Sequence, residues 1–165
     1  FAHWDTPERF QMHSDDQGFG TGLVEILQVS LLNEHNQRLA SIEGNEQVTL
    51  LIRTRALADL HSPIIGFVCK DRLGQVLFSE NTEPHQGQEN QVIPKHSVME
   101  TTFEFTMPLL AVGDYSLGVA VAQGTQREHV QHVWIHDALV FSSQCPSLST
   151  GLVGIPMHQV RLEIF

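Results

Sequence analysis

Positive charge is scarce in this chain. Nine Lys and Arg stand against nineteen Asp and Glu, a formal net charge of −10 over 165 residues. Nucleic acids and anionic membrane surfaces are held by basic faces, so neither is expected as the main partner. The few cations do not cluster; the closest grouping is Arg53 and Arg55. A neutral, hydroxyl-rich ligand fits this balance, and a polyanion does not. Cysteine is scarcer still. Cys69 and Cys145 are too few and too far apart to form the dense disulfide framework of a small secreted domain. They are expected to be reduced, buried thiols in a cytosolic setting, and neither has a local nucleophile signature. No run approaches the roughly 18 apolar residues of a membrane helix. A secretory signal is lacking, and the opening FAHWDTPERF has no methionine, which points to a piece of a longer chain with further domains.

Helical periodicity is also missing; short alternating runs separated by turn signals take its place. LVEILQVSLL (23–32) leads into the turn NEHNQ. QVTLLIRTRA (47–56) sets Val48, Leu50 and Ile52 against Thr49, Leu51 and Arg53. IIGFVCK (64–70) and QVLFS (75–79) flank DRLG, whose Asp and Gly suit the first and fourth positions of a type I turn. ETTFEFTM (100–107), DYSLGVAVA (114–122) and HVWIHDALVF (132–141) follow, and MHQVRLEIF (157–165) ends the chain. Regular short strands with polar turns predict an all-β domain, an immunoglobulin-like antiparallel β-sandwich over 22–165, preceded by a linker at 1–21. In LLAVGDYSLGVAVA, Leu110, Gly113 and Tyr115 precede a strand in the manner of a tyrosine corner, where the hydroxyl bonds upstream backbone.

The stretch HVQHVWIHDALVF (129–141) places three histidines around one tryptophan. In a helix, His132 and His136 would lie one turn apart, at a spacing that suits zinc. In a strand, the same four residues span about 13 Å, and two such rings do not close on one ion alone. Val130, Val133, Trp134, Ile135, Val140 and Phe141 favour the strand, and no N-cap opens the segment. Strand 114–122 has one large apolar face (Tyr115, Leu117, Val119, Val121) and one small face (Ser116, Gly118, Ala120, Ala122). If the large sets form the core, Trp134 stands outside beside a floor of small residues, between His132 and His136. An indole flanked by imidazoles suits a sugar ring, whose C–H face lies on the aromatic while its hydroxyls meet the polar rim. A bulge at His136–Asp137 would invert the later half, and a core tryptophan is the competing assignment. A second candidate is the polar loop SENTEPHQGQENQVIPKH (79–96), whose Asn81, Thr82, Gln86, Gln88 and Asn90 carry sugar-bonding amides and hydroxyls. No phosphate loop, nucleophile elbow or H-E-x-x-H pair occurs. No cofactor or metal is expected, although ten histidines keep a cupin-like metal enzyme as the enzymatic alternative.

Three segments taken together, SPIIGFVCKDRLGQVLFSENT (62–82), MPLLAVGDYSLGVAVA (107–122) and HVWIHDALVF, resemble the C-terminal domain of Wzt, the ATP-binding subunit of O-antigen-exporting ABC transporters. The resemblance runs from about Gly22 to the C-terminus. It implies a non-catalytic sandwich that binds the exported O-antigen polysaccharide, in some systems through a capped non-reducing end. It also implies attachment to a nucleotide-binding domain of the same chain, and through it to the membrane subunit, at the cytoplasmic face of the bacterial inner membrane. The glycan expected is neutral, such as a polymannan with a modified terminus. The expected binding residues are His132, Trp134 and His136 with Asn81 and Thr82 beside them, and Arg53, Arg55 or Lys70 for an anionic terminal group. A pure assembly module is the third possibility.

Val160, Leu162 and Ile164 alternate with Arg161 and Glu163, so 157–165 has an apolar face that needs a sheet. The Ser/Gly/Pro-rich connector 142–156 permits folding back or crossing to a partner. A homodimer is expected in which this strand completes the partner's sheet, because exchange replaces contacts with equivalent ones.

Overall fold

The computed structural model describes residues 22–85, 91–124, 129–146 and 151–165, with backbone alone for 124 and 129–132. Alternating side chains produced strands at nearly every predicted run: β1 (Val24–Leu32), β2 (Ser41–Ile42), β3 (Gln47–Ala56), β4 (Leu60–His61), β5 (Pro63–Asp71), β6 (Val76–Asn81), β7 (Val92–Ile93), β8 (Val98–Thr106), β9 (Leu109–Leu110), β10 (Gly113–Gly124), β11 (His129–Ser143) and β12 (Val153–Gly154). They form a three-stranded sheet, β1-β3-β8, and a five-stranded sheet, β2-β11-β10-β5-β6, with small pairs β9–β12 and β4–β7 at the ends. All pairings are antiparallel except the two-residue contact of β2 with β11. This is the expected all-β sandwich.

The core lies between the sheets. Leu31 of β1, Leu50 and Ile52 of β3, and Leu117, Val119 and Val121 of β10 are almost fully buried, as is Phe141 of β11. The alternation in β3 therefore resolves as predicted, with Thr49, Leu51, Arg53 and Arg55 outward. At the β5–β6 hairpin, Gly74 N–H donates to the Asp71 carbonyl at 3.0 Å, and the Asp71 carboxylate accepts from Leu73 and Gln75 at 2.9 Å each. Gly74 sits at φ 81°, a conformation that disfavours a Cβ, so this turn needs its glycine. The tyrosine corner is present too: Tyr115 Oη donates to the Ala111 carbonyl at 2.7 Å, and the ring stacks on Phe141 at 5.7 Å.

The C-terminal run behaves differently from its pattern. Within its own chain 157–165 forms no ladder; it is extended, with Val160 85% and Leu162 87% exposed. Its alternation predicted a strand, and a strand requires a neighbouring edge that this segment does not reach in its own domain.

Candidate functional site

The outer face of the five-stranded sheet is set by β10. Its large apolar residues enter the core, so Ser116, Gly118, Ala120 and Ala122 face out. Register aligns the neighbours into rows. One row crosses the sheet from Trp134 of β11 through Ala120 and Gly66 to Asn81 of β6. The next carries Gly118, Val68 and Ser79, with His136 above it, and a third runs Val140, Ser116, Lys70, Val76. At about 4.8 Å per strand, the backbones of Trp134 and Asn81 are about 14 Å apart. Between them the floor is a methyl group and a bare glycine. The structure thus brings Trp134, His136 and Asn81 onto one face.

A bulge shapes the wall. From Ile135 to Leu139, β11 has two more residues than β10 has from Val119 to Leu117. The surplus arches over Gly118, where a Cβ would lie 2.8 Å from the His136 carbonyl oxygen and 3.3 Å from that of Ile135. The close approach requires glycine. An odd surplus would have inverted the strand; two residues preserve the alternation, so Trp134 and the 60%-exposed Val140 both face outward. A second shift sets Gln131 opposite Ala122, with His132 as the extra residue in the backbone; the His132 side chain is outside the described residues.

Trp134 is half-buried, and its indole Nε1 is buried without a hydrogen-bond partner. With the nitrogen turned inward, the exposed part of the ring is carbon, the surface on which a sugar C–H face stacks. The His136 ring lies 5.5 Å away, tilted by 38°. Across the floor, Asn81 Oδ1 accepts from the Glu83 N–H at 2.9 Å, which fixes the orientation of its amide. Beyond His136 the face deepens into a hollow of about 460 Å³ lined by Lys70, Arg72, Asp114, Ser116, His136 and Asp137. Arg72 and Asp114 had no sequence signal beyond their positions in turns; only the hairpin's fold-over brings them to Lys70.

The remaining predicted residues lie elsewhere. Thr82 Oγ1 accepts from the Ile65 N–H at 3.1 Å and its own N–H donates to Ile65 O at 3.0 Å, which ties the end of β6 to β5. It lines a groove between β6 and β8 rather than the trough. Arg53 and Arg55 are on the outer face of the other sheet, paired with Glu100 at 2.8 Å and Glu25 at 3.4 Å. The structure does not bring these two arginines to Trp134, because the alternation of β3 specified their face but not which side of the sandwich it covers. Gln86, Gln88 and Asn90 are outside the described residues.

The groove between β6 and β8 has no counterpart in the sequence reading. It measures about 540 Å³ and its floor is Phe67, Phe78, Phe103 and Phe105. Phe67 packs edge-on against Phe103 at 4.9 Å and stacks on Phe105 at 5.9 Å. Among chemically reactive groups, Cys69 is fully buried and its thiol is pushed up to about 12 by burial, with Asp71 adding to the effect. At neutral pH it is a protonated core side chain, not a nucleophile. Cys145 is likewise buried and free. Among the described residues no three His, Cys, Asp or Glu side chains converge in a metal-binding arrangement, and no helix is long and apolar enough to cross a membrane.

The profile of the Wzt C-terminal domain matches residues 15–155. The chain belongs to that family. The crystal structure of the C-terminal domain of Wzt superposes with a TM-score of 0.78 at 18% identity, over 91% of this chain and 90% of that one. At that identity the likeness to Wzt establishes the shared fold. A β-glucuronidase of glycoside hydrolase family 2 also aligns, at 14% identity over 70% of this chain and 11% of the enzyme, but its TM-score of 0.40 carries no argument. A comparison with curated proteins finds no match. Within the Wzt-type sandwich, then, the trough between Trp134 and Asn81 and the hollow beyond His136 are the features of the outer face with ligand-binding shape.

Proposed function

We propose that this domain is a non-catalytic module that recognises O-antigen polysaccharide for export by an ABC transporter. The observation that carries the reading is the row Trp134–Ala120–Gly66–Asn81, an apolar ring face and an amide facing each other over a floor without bulk, in a member of the Wzt C-terminal family. A sugar ring lies on the indole, with His132, His136 and Asn81 as hydroxyl partners; Thr82 holds the Asn81 strand in place. The glycan is neutral along its length, such as a polymannan. The hollow with Lys70 and Arg72 takes the place first expected for Arg53 and Arg55 and receives a modified non-reducing end. The domain works beside a nucleotide-binding domain of its own chain, at the cytoplasmic face of the inner membrane with the membrane subunit, and as a homodimer through exchange of 157–165.

Trp134→Ala tests the site. Loss of stacking lowers glycan affinity on the order of fivefold, about 1 kcal/mol beyond area, in calorimetric titration with O-antigen oligosaccharide, while the melting transition stays cooperative. Unchanged affinity overturns the proposed site. Failure of the unsubstituted domain to retain any glycan favours an assembly module, and stoichiometric zinc, iron or manganese on elemental analysis favours the metal enzyme.

A further inference from the structure

The sandwich is closed on one side and open on the other. β1 and β11 pack against each other across it, whereas β6 and β8, the opposite edges of the two sheets, leave the phenylalanine-floored groove between them. Phe103 and Phe105 of β8 point inward yet are only half-buried, so the core is unfinished there. The same chain carries an unused counterpart. Val160, Leu162 and Ile164 are 85%, 87% and 92% exposed, and terminal Phe165 is bare. Apolar surface of this kind on an ordered extended segment marks an interaction site.

We infer that the groove between β6 and β8 is the receiving surface for residues 157–165 of a second copy, which pairs with the free edge of β8. This rests on the strand-exchange reading above and adds where the strand lands. Lengths agree: β8 has nine residues, as many as 157–165. The period agrees as well. In a strand beside β8, Val160, Leu162 and Ile164 turn to the Phe103 and Phe105 side, while Arg161 and Glu163 turn outward. Charge selects β8 over β6. The outward residues of β8 include Glu100 and Glu104, an anionic row for Arg161, whereas those of β6 are Val76, Ser79 and Asn81. The occupant is a second copy because each chain offers both halves of the contact, and reciprocal exchange then closes as a two-fold dimer. The pairing of β12 with β9 anchors the segment's departure next to the end of β8, yet its apolar side chains stay off their own groove.

Leu162→Asp places a charge in the apolar groove without disturbing the domain, since Leu162 is 87% exposed in the single chain. Sedimentation equilibrium of the 165-residue chain is expected to show a dimer whose Kd rises at least about a hundredfold in this variant, with glycan retention kept. Position is read by disulfide formation between singly substituted copies. Arg161→Cys mixed with Thr102→Cys, Glu104→Cys or Thr106→Cys is expected to give a linked heterodimer. Linkage of Arg161→Cys to Ser79→Cys instead, with none to β8, overturns the β8 assignment while leaving exchange intact. A dimer unaffected by Leu162→Asp and without either linkage overturns the groove as receiver. A wild-type chain that is monomeric at all concentrations removes the exchange reading itself.

Discussion

On the three-stranded sheet, the outward arginines of β3 find carboxylates on neighbouring strands: Arg53 on Glu100, Arg55 on Glu25. On the five-stranded sheet, the corresponding outward positions of β10 and β5 are methyl groups and glycines, and the nearest aromatic keeps its indole nitrogen buried and unpaired. The first face satisfies its polar groups within the fold and presents a level, ion-paired surface. The second leaves space and an apolar ring. Both come from two-residue alternation, so outward orientation by itself says nothing about function; what separates them is whether the outward side chains are long enough to complete each other's bonds.

The comparison breaks most visibly at Gly118. Replacing it with Val drives a side chain into the His136 and Ile135 carbonyls, and a loss of about 2–3 kcal/mol in denaturant unfolding is expected, with glycan affinity falling alongside. An unchanged unfolding midpoint would show that the bulge moves freely. Tyr115→Phe acts on neither face and serves as the control. Removing the bond to Ala111 should cost about 1 kcal/mol of stability with no change in glycan affinity. Gly66→Ala is subtler: its Cβ would lie 3.1 Å from Asn81 Cβ and 3.3 Å from Glu80 O, so the β6 edge must shift by a few tenths of an ångström. Stability is expected to fall by up to about 1 kcal/mol, and titration should show the trough binding its sugar less well than a thermal melt alone would suggest. The smallest effect belongs to the paired face. Arg55→Ala loses a half-exposed ion pair worth about 0.5 kcal/mol or less, which salt further screens. Glycan retention should be unaltered, and a clear loss of binding would return the arginines to the site.

The strands were legible because each long one carries several turns of a two-residue code: Val48, Leu50 and Ile52 against Thr49, Arg53 and Arg55 admit one arrangement only. Two-residue elements such as β4, β7, β9 and β12 carry no period and left no trace. The outward position of Trp134 followed from the contrast of large and small faces on β10, which is local information. The row linking it to Asn81 did not, because register across four strands is set by hairpin geometry and by bulges that sequence spacing does not count. For the same reason Lys70 was named but not Arg72 or Asp114, and the phenylalanine groove was invisible: Phe67, Phe78, Phe103 and Phe105 belong to three separate strands and meet only in the folded chain. The arginines illustrate the converse. Their shared face was read correctly, yet a face has no address until the sheets are stacked.

The two surplus residues of β11 have a consequence for how this sequence tolerates change in length. A strand is read in steps of two, so its sides depend on whether the number of residues between fixed points is odd or even. Deleting one residue among His136, Asp137 and Ala138 would turn everything downstream inside out, sending Leu139 and the buried Phe141 to solvent and Val140 into the core. Deleting two would leave every later side chain on its present side and merely flatten the arch over Gly118. At this position the chain has, in effect, a reading frame of two, and variation in length near the candidate site is permitted in pairs.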